Sequence, residues 1–163
     1  MGKEETVNAG GINGLGLDLI NPESADFRAL QRMISEVSDN LPEEQRIANR
    51  MLAIRFRMEN YLNQPRPEEI LPAGQFIEEF LALLEIKQKD FADYIECEAS
   101  NLNAILKGRR KINPDLALKF GHIFKVDPAI WLHLQSKNEL LELQASEGAF
   151  YDRFGLEELL KKG

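Results

Sequence analysis

The chain has 163 residues, 44% of them hydrophobic, and a formal net charge of −7. That supports one domain or two small ones around an apolar core, and excludes a chain that is disordered throughout. The negative balance excludes a protein that coats DNA by bulk charge, although a local basic cluster can still grip phosphates. Cys97 is the single cysteine, so no internal disulfide can form and the cytoplasm is the default location. No apolar run approaches the roughly 18 residues of a membrane span, and residues 1–20 lack the apolar core of a signal peptide. No membrane association is expected.

In chain order, residues 1–21 read as a flexible tail in which Gly10, Gly11, Gly14 and Gly16 crowd together. The run GGINGLG lacks the preceding strand and following helix of a dinucleotide fingerprint, so no cofactor is expected. From Pro22, with Asn21 as cap, Phe27, Leu30, Ile34 and Val37 recur at helical spacing. Leu41 to Leu62 is the longest predicted helix. Its residues Ile47, Met51, Ile54, Met58 and Tyr61 form an a/d-like seam, edged by Arg46, Arg50, Arg55 and Arg57. Two readings of residues 22–63 stand open. One is a helical hairpin packed on itself or on the rest of the domain. The other is a partner-binding element whose seam faces another chain.

Asn63-Gln64-Pro65-Arg66-Pro67 cannot continue a helix, so a linker is placed at 64–68. Five helical patterns fill residues 69–145: Gly74–Leu84, Gln88–Ile95, Ala99–Lys107, Pro114–Phe124 and Pro128 to about Leu143. Asn113 and Asp127 are predicted caps, each followed by proline. Ser146-Glu147-Gly148 breaks the pattern, and the tail 146–163 carries a short helix within Phe150–Leu160. Alternating β patterns are absent, so the fold class is all-α: a five-helix domain preceded by a helical hairpin region.

Residues 87–111 are the most informative stretch. Phe91, Ala92 and Ile95 fall on one helical face, and Leu102, Ile105 and Leu106 on another a short turn later. Lys107, Arg109, Arg110 and Lys111 follow directly. A first helix that supports a second, exposed one is the pattern of a helix-turn-helix. Glu78, Glu79, Glu85, Asp90, Asp93, Glu96 and Glu98 crowd the region before it, so DNA binding should be modest per monomer and sensitive to salt.

Gln88, Ala92, Ile95, Leu102, Ile105 and Gly108 occupy the positions of the phage-repressor (XRE, Cro-type) helix-turn-helix signature. Ile70-Leu71-Pro72-Ala73-Gly74, followed by Ile77 and Leu81, resembles the opening of helix one in HigA-type antitoxins. Lys107-Gly108-Arg109-Arg110-Lys111-Ile112 is similar to that family's glycine-basic turn. Pro128-Ala129-Ile130-Trp131-Leu132-His133-Leu134-Gln135 is similar to its fifth-helix motif. The resemblance covers about residues 68–143. It implies an antitoxin of a toxin–antitoxin system, which neutralises a small basic toxin protein and represses its own operon as a homodimer on an inverted-repeat operator. It places the dimer surface at Trp131, Leu134 and Leu141, although Trp131 reads equally well as core. Residues 22–62 would then contact the toxin through Ile47, Met51, Ile54, Met58 and Tyr61.

The residues themselves assign the DNA-binding candidates. Gln88 and Lys89 open the supporting helix, where an amide and helical N–H groups can meet phosphate. Glu98, Ala99, Ser100, Asn101 and Asn103 lie at the start and on the outer face of the next helix. An asparagine there can pair with adenine N6 and N7, and a carboxylate can accept from cytosine N4. Lys107, Arg109, Arg110 and Lys111 would hold phosphates. Glu96 stands where such turns usually carry glycine, so a strained or reshaped turn is expected. The alternative is a protein-interaction adaptor that keeps the fold without binding DNA.

Catalysis and metal binding find no support. His122 and His133 sit on different predicted helices, without a carboxylate at ligand spacing. Cys97 has acidic neighbours, and the pairs Glu43-Glu44, Glu68-Glu69 and Glu157-Glu158 suit first helical turns and solvated faces.

Overall fold

The structure is a computed structural model that describes residues 25–163. The tail at 1–21 and the Asn21–Pro22 cap lie outside the described residues. Among those described there are eight helices and no strand, so the fold is all-α. They are α1 (Ala25–Asp39), α2 (Glu43–Asn63), α3 (Ala73–Leu83), α4 (Gln88–Tyr94), α5 (Ala99–Leu106), α6 (Pro114–Phe124), α7 (Pro128–Tyr151) and α8 (Leu156–Lys161).

Local chemistry accounts for several of these limits. Glu43 and Glu44 place negative charge in the first turn of α2, where the helix dipole favours it. At α6 the Asn113 side chain accepts from the Leu116 N–H at 2.8 Å. At α7 the Asp127 carboxylate accepts from the Ala129 N–H at 2.9 Å. In both, proline comes next and supplies a pre-set φ without losing a needed donor. The helical path of α7 breaks at Glu147 (φ −132°, ψ 20°), within the predicted Ser146-Glu147-Gly148 break. The predicted helix at 150–160 is interrupted, because Gly155 has left helical geometry before α8 begins.

The chain divides into two compact units, Met1–Arg46 and Ile47–Gly163. In the first, α1 carries Leu30, Met33, Ile34 and Val37 at helical spacing, all exposed. In the second, five aromatic rings form the centre of the core. Phe80 stacks on Phe124 at 4.5 Å, and Trp131 meets Phe120 edge-on at 5.5 Å, with Phe91 against Phe120 and Phe124. These rings come from α3, α4, α6 and α7, so one cluster fixes four helices. Trp131 and Leu134 are both 0% exposed. That corrects the expectation that they form a dimer surface, because both side chains are buried inside one chain.

The second unit begins inside α2, not after the prolines. Met58, Tyr61 and Ile54 are buried in the same core. Tyr61 Oη donates to Asn138 Oδ1 at 2.6 Å, and Asn138 Nδ2 donates to the Leu71 carbonyl at 2.9 Å. The Lys137 ammonium donates to the carbonyls of Tyr61, Leu62 and Gln64, at and just past the end of α2. Arg57 pairs with Glu79 of α3 at 2.6 Å. The two prolines therefore end α2 without separating it from α3 and α7. The seam Ile54–Met58–Tyr61 packs on the helix-turn-helix region and is closed to a partner, while Ile47 and Met51 are half-buried at its far end.

Candidate nucleic-acid interface

The interface is built from α4, the turn after it, α5 and the loop to α6. The inner faces of the two helices, Phe91, Ala92 and Ile95 then Leu102, Ile105 and Leu106, are buried as the spacing predicts. The turn between them passes through Glu96 at φ 57°. The Cys97 N–H then returns to the Ala92 carbonyl at 2.9 Å, which closes the end of α4 as a glycine would. Glu96 thus keeps the family-like left-handed turn instead of reshaping it, at a conformational cost of about 1–2 kcal/mol. Glu85 and Lys125 turn their own helix ends in the same conformation. Lys119 of α6 donates to the Ile95 carbonyl at 2.9 Å and completes the cap on α4.

Behind α5 lies the start of α3. A Cβ at Gly74 would stand 2.3 Å from the Leu106 carbonyl oxygen, so the two backbones approach too closely for any other residue. That approach holds the end of α5, and with it the basic loop, against the core.

The outer face of α5 presents Glu98, Ala99, Ser100 and Asn103 to solvent, with Asn101 half-buried. Glu98 is the N-cap residue and makes no side-chain cap bond, so its carboxylate is uncommitted to the helix end. Beyond the helix, Gly108 adopts φ 71°. The N–H groups of Arg109 and Arg110 then both reach the Ala104 carbonyl, at 2.8 and 3.1 Å. This fold-back returns the loop alongside α5. Gln135 of α7 fixes its far end by exchanging two hydrogen bonds with the backbone of Ile112, at 2.9 and 2.7 Å.

As a result two of the basic side chains lie against the outer face of α5. Arg109 Nη2 donates to Asn103 Oδ1 at 3.0 Å, and Arg110 Nη1 donates to Asn101 Oδ1. Both arginines meet neutral amides and keep their full charge. Lys107 instead pairs with Glu78 at 3.3 Å and Lys111 with Glu139 at 2.8 Å. The four cations of the cluster are therefore unequal: two are held charged beside α5, and two are partly offset by carboxylates. Gln88 and Lys89 are exposed at the start of α4.

Among the described residues no group of three His, Cys, Asp or Glu could hold a metal, and His122 and His133 are both exposed. No described helix is long and apolar enough to cross a membrane. Sequence pattern alone does not assign the positioning role of Gln135. Its place in the Leu-x-Leu-Gln run is the available signal.

Over 82 residues the chain is 30% identical to the HTH-type transcriptional regulator YddM of Escherichia coli strain K12, a match spanning 50% of this chain and 81% of the relative. The chain belongs to the HTH-type transcriptional regulators. A second regulator of this helix-turn-helix family, from Haemophilus influenzae, is 30% identical over 67 residues, 41% of this chain and 63% of its own. The regulator YbaQ of Escherichia coli K12 is 22% identical over 83 residues, 51% and 74%. No family model matches the chain. Two solved structures align with this regulator at a TM-score of 0.49. One is an addiction module antidote protein of a HigA family from Coxiella burnetii, 24% identical over 53% of this chain and 96% of its own. The other is PA4674 of Pseudomonas aeruginosa in complex with its operator DNA, 25% identical over 53% and 93%.

Proposed function

We propose that this chain reads an inverted-repeat operator as a homodimer, with α5 in the major groove, and serves as an antitoxin that neutralises a small basic toxin and represses its own operon. The observation that carries the reading is the seating of Arg109 and Arg110 beside the exposed face of α5. A fold kept as a bare scaffold has no need for uncompensated cations there. Arg109, Arg110, Lys107 and Lys111 meet phosphates. Gln88 and Lys89 meet the adjacent backbone, and Glu98, Ala99, Ser100, Asn101 and Asn103 meet base edges.

Two exposed apolar surfaces among the described residues serve the protein partners. The second copy docks on Leu140, Leu141 and Leu143 and on α8, since Trp131 and Leu134 are interior. Leu140 is 68% exposed and Leu159 67%. Helix α8 is acidic in its first turn, at Glu157 and Glu158, and basic in its last, at Lys161. Lys161 pairs with Glu158 of its own helix at 2.8 Å, so α8 offers a second copy its exposed Leu156, Leu159 and Leu160. The toxin docks on α1, whose Leu30, Met33, Ile34 and Val37 are exposed. The net charge of −7 favours a basic partner.

Fluorescence anisotropy on the chain's own upstream duplex, against a scrambled duplex, tests the DNA half directly. Selective binding that weakens steeply with salt supports it. Equal binding to both duplexes at every salt concentration rejects it. Light scattering at micromolar concentration tests the assembly, and a strict monomer contradicts an inverted-repeat reader.

A further inference from the structure

Resting on that reading, the geometry points to a half-site in which α5 faces guanine, with Asn101 and Asn103 held by the loop arginines as donors. A guanidinium carries five N–H donors and no acceptor. Whatever atom of an asparagine amide faces it at hydrogen-bond distance must be the oxygen. Arg109 takes the Asn103 oxygen at 3.0 Å, and Arg110 takes that of Asn101. Each amide therefore commits its oxygen side to the arginine and leaves its NH2 group off that bond. Adenine readout requires the opposite commitment, because the oxygen must be free to accept from N6 while the NH2 donates to N7. The arginine takes one of that oxygen's two lone pairs and orients the amide, so the adenine geometry must compete with the bond already made.

Donors dominate the chemistry each pair can offer: the amide NH2 and the guanidinium N–H groups not used on asparagine outnumber the one remaining oxygen lone pair. Guanine presents two adjacent major-groove acceptors, N7 and O6. Adenine sets a donor beside N7, cytosine offers a donor, and thymine sets a methyl group beside O4. Donor pairs thus select guanine. Glu98, exposed at the front of the same helix, supplies an acceptor suited to the N4 donor of cytosine. The arrangement is fixed by backbone, since Gly108 and the two N–H groups donated to the Ala104 carbonyl return both arginines to α5. Arg109 and Arg110 are then specificity-determining residues as well as phosphate contacts. They act through the asparagines and set which way each amide faces.

The test uses the full chain on its upstream duplex, once the protected half-sites are known from footprinting. Each guanine in the half-site is replaced singly by 7-deazaguanine, which keeps the pairing and removes the N7 acceptor. At one or two positions per half-site, affinity should fall at least about tenfold, the scale of a single bidentate base contact. The Asn103→Ala variant should lose that sensitivity at one position. The Arg109→Ala variant frees the Asn103 oxygen, so it should bind adenine at that position about as well as guanine. It should relax the preference as well as weaken binding. Selective binding with no sensitivity to 7-deazaguanine, or an adenine preference that survives Arg109→Ala, overturns the guanine assignment and leaves the regulator reading intact. Failure to bind any duplex selectively overturns both.

Discussion

Glu96 holds a left-handed backbone conformation that side chains with a Cβ avoid, and it does so at the turn of the helix-turn-helix. Replacing it with glycine removes about 1–2 kcal/mol of conformational cost and gives back about 0.4–1 kcal/mol through a more flexible unfolded chain. Glu96→Gly is therefore expected to stabilise the protein, by up to about 1.6 kcal/mol. A denaturant midpoint that falls would show that the Glu96 side chain supports the turn in some further way. Gly74 presents the reverse case. Its missing Cβ admits the Leu106 carbonyl, so Gly74→Ala should cost about 1–3 kcal/mol as α3 and α5 are forced apart. An unchanged midpoint would mean that the two helices separate freely. The need for glycine at position 74 and the left-handed turn at 96 had different standing in the sequence. The turn was legible from its place between two apolar faces. The close approach at 74 was not, because it depends on where a helix thirty residues later comes to lie.

At the scale of elements, α2 separates what a repeat pattern encodes from what it leaves open. The steps from Ile47 to Tyr61 define a helical face. They do not say whether that face meets another chain or its own domain. Tyr61–Asn138, the Lys137 carbonyl clamp and Arg57–Glu79 decide the matter, and each joins residues far apart in sequence. Helix α1 has a similar apolar repeat and remains exposed. The two helices should respond differently to truncation of one methionine each. Met58→Ala, at a position 0% exposed, is expected to cost about 2–5 kcal/mol. Met33→Ala, at 63% exposure, should shift stability by less than about 0.5 kcal/mol. Equal effects in urea titrations would place both helices in the same environment and contradict the burial of α2.

At the scale of the whole molecule, net charge and function point in opposite directions until the charges are placed. A chain of −7 is a poor DNA ligand in bulk. Two arginines held beside α5 on neutral amides make a local exception, while Lys107 and Lys111 are tied to Glu78 and Glu139. The cluster itself was legible in the sequence because its position after the second helix is what the motif requires. Its division into held and offset cations was not, since it depends on the fold-back to Ala104 and the Gln135 clamp on Ile112. The most direct measurement is the salt dependence of operator affinity, by anisotropy, for the wild-type chain and for the Arg109→Ala/Arg110→Ala variant. Phosphate binding by these two arginines predicts weaker affinity in the variant and a log–log salt slope shallower by about 2, roughly one for each phosphate no longer neutralised. An unchanged affinity and slope would contradict it, and would place any DNA-binding surface away from α5 and its loop.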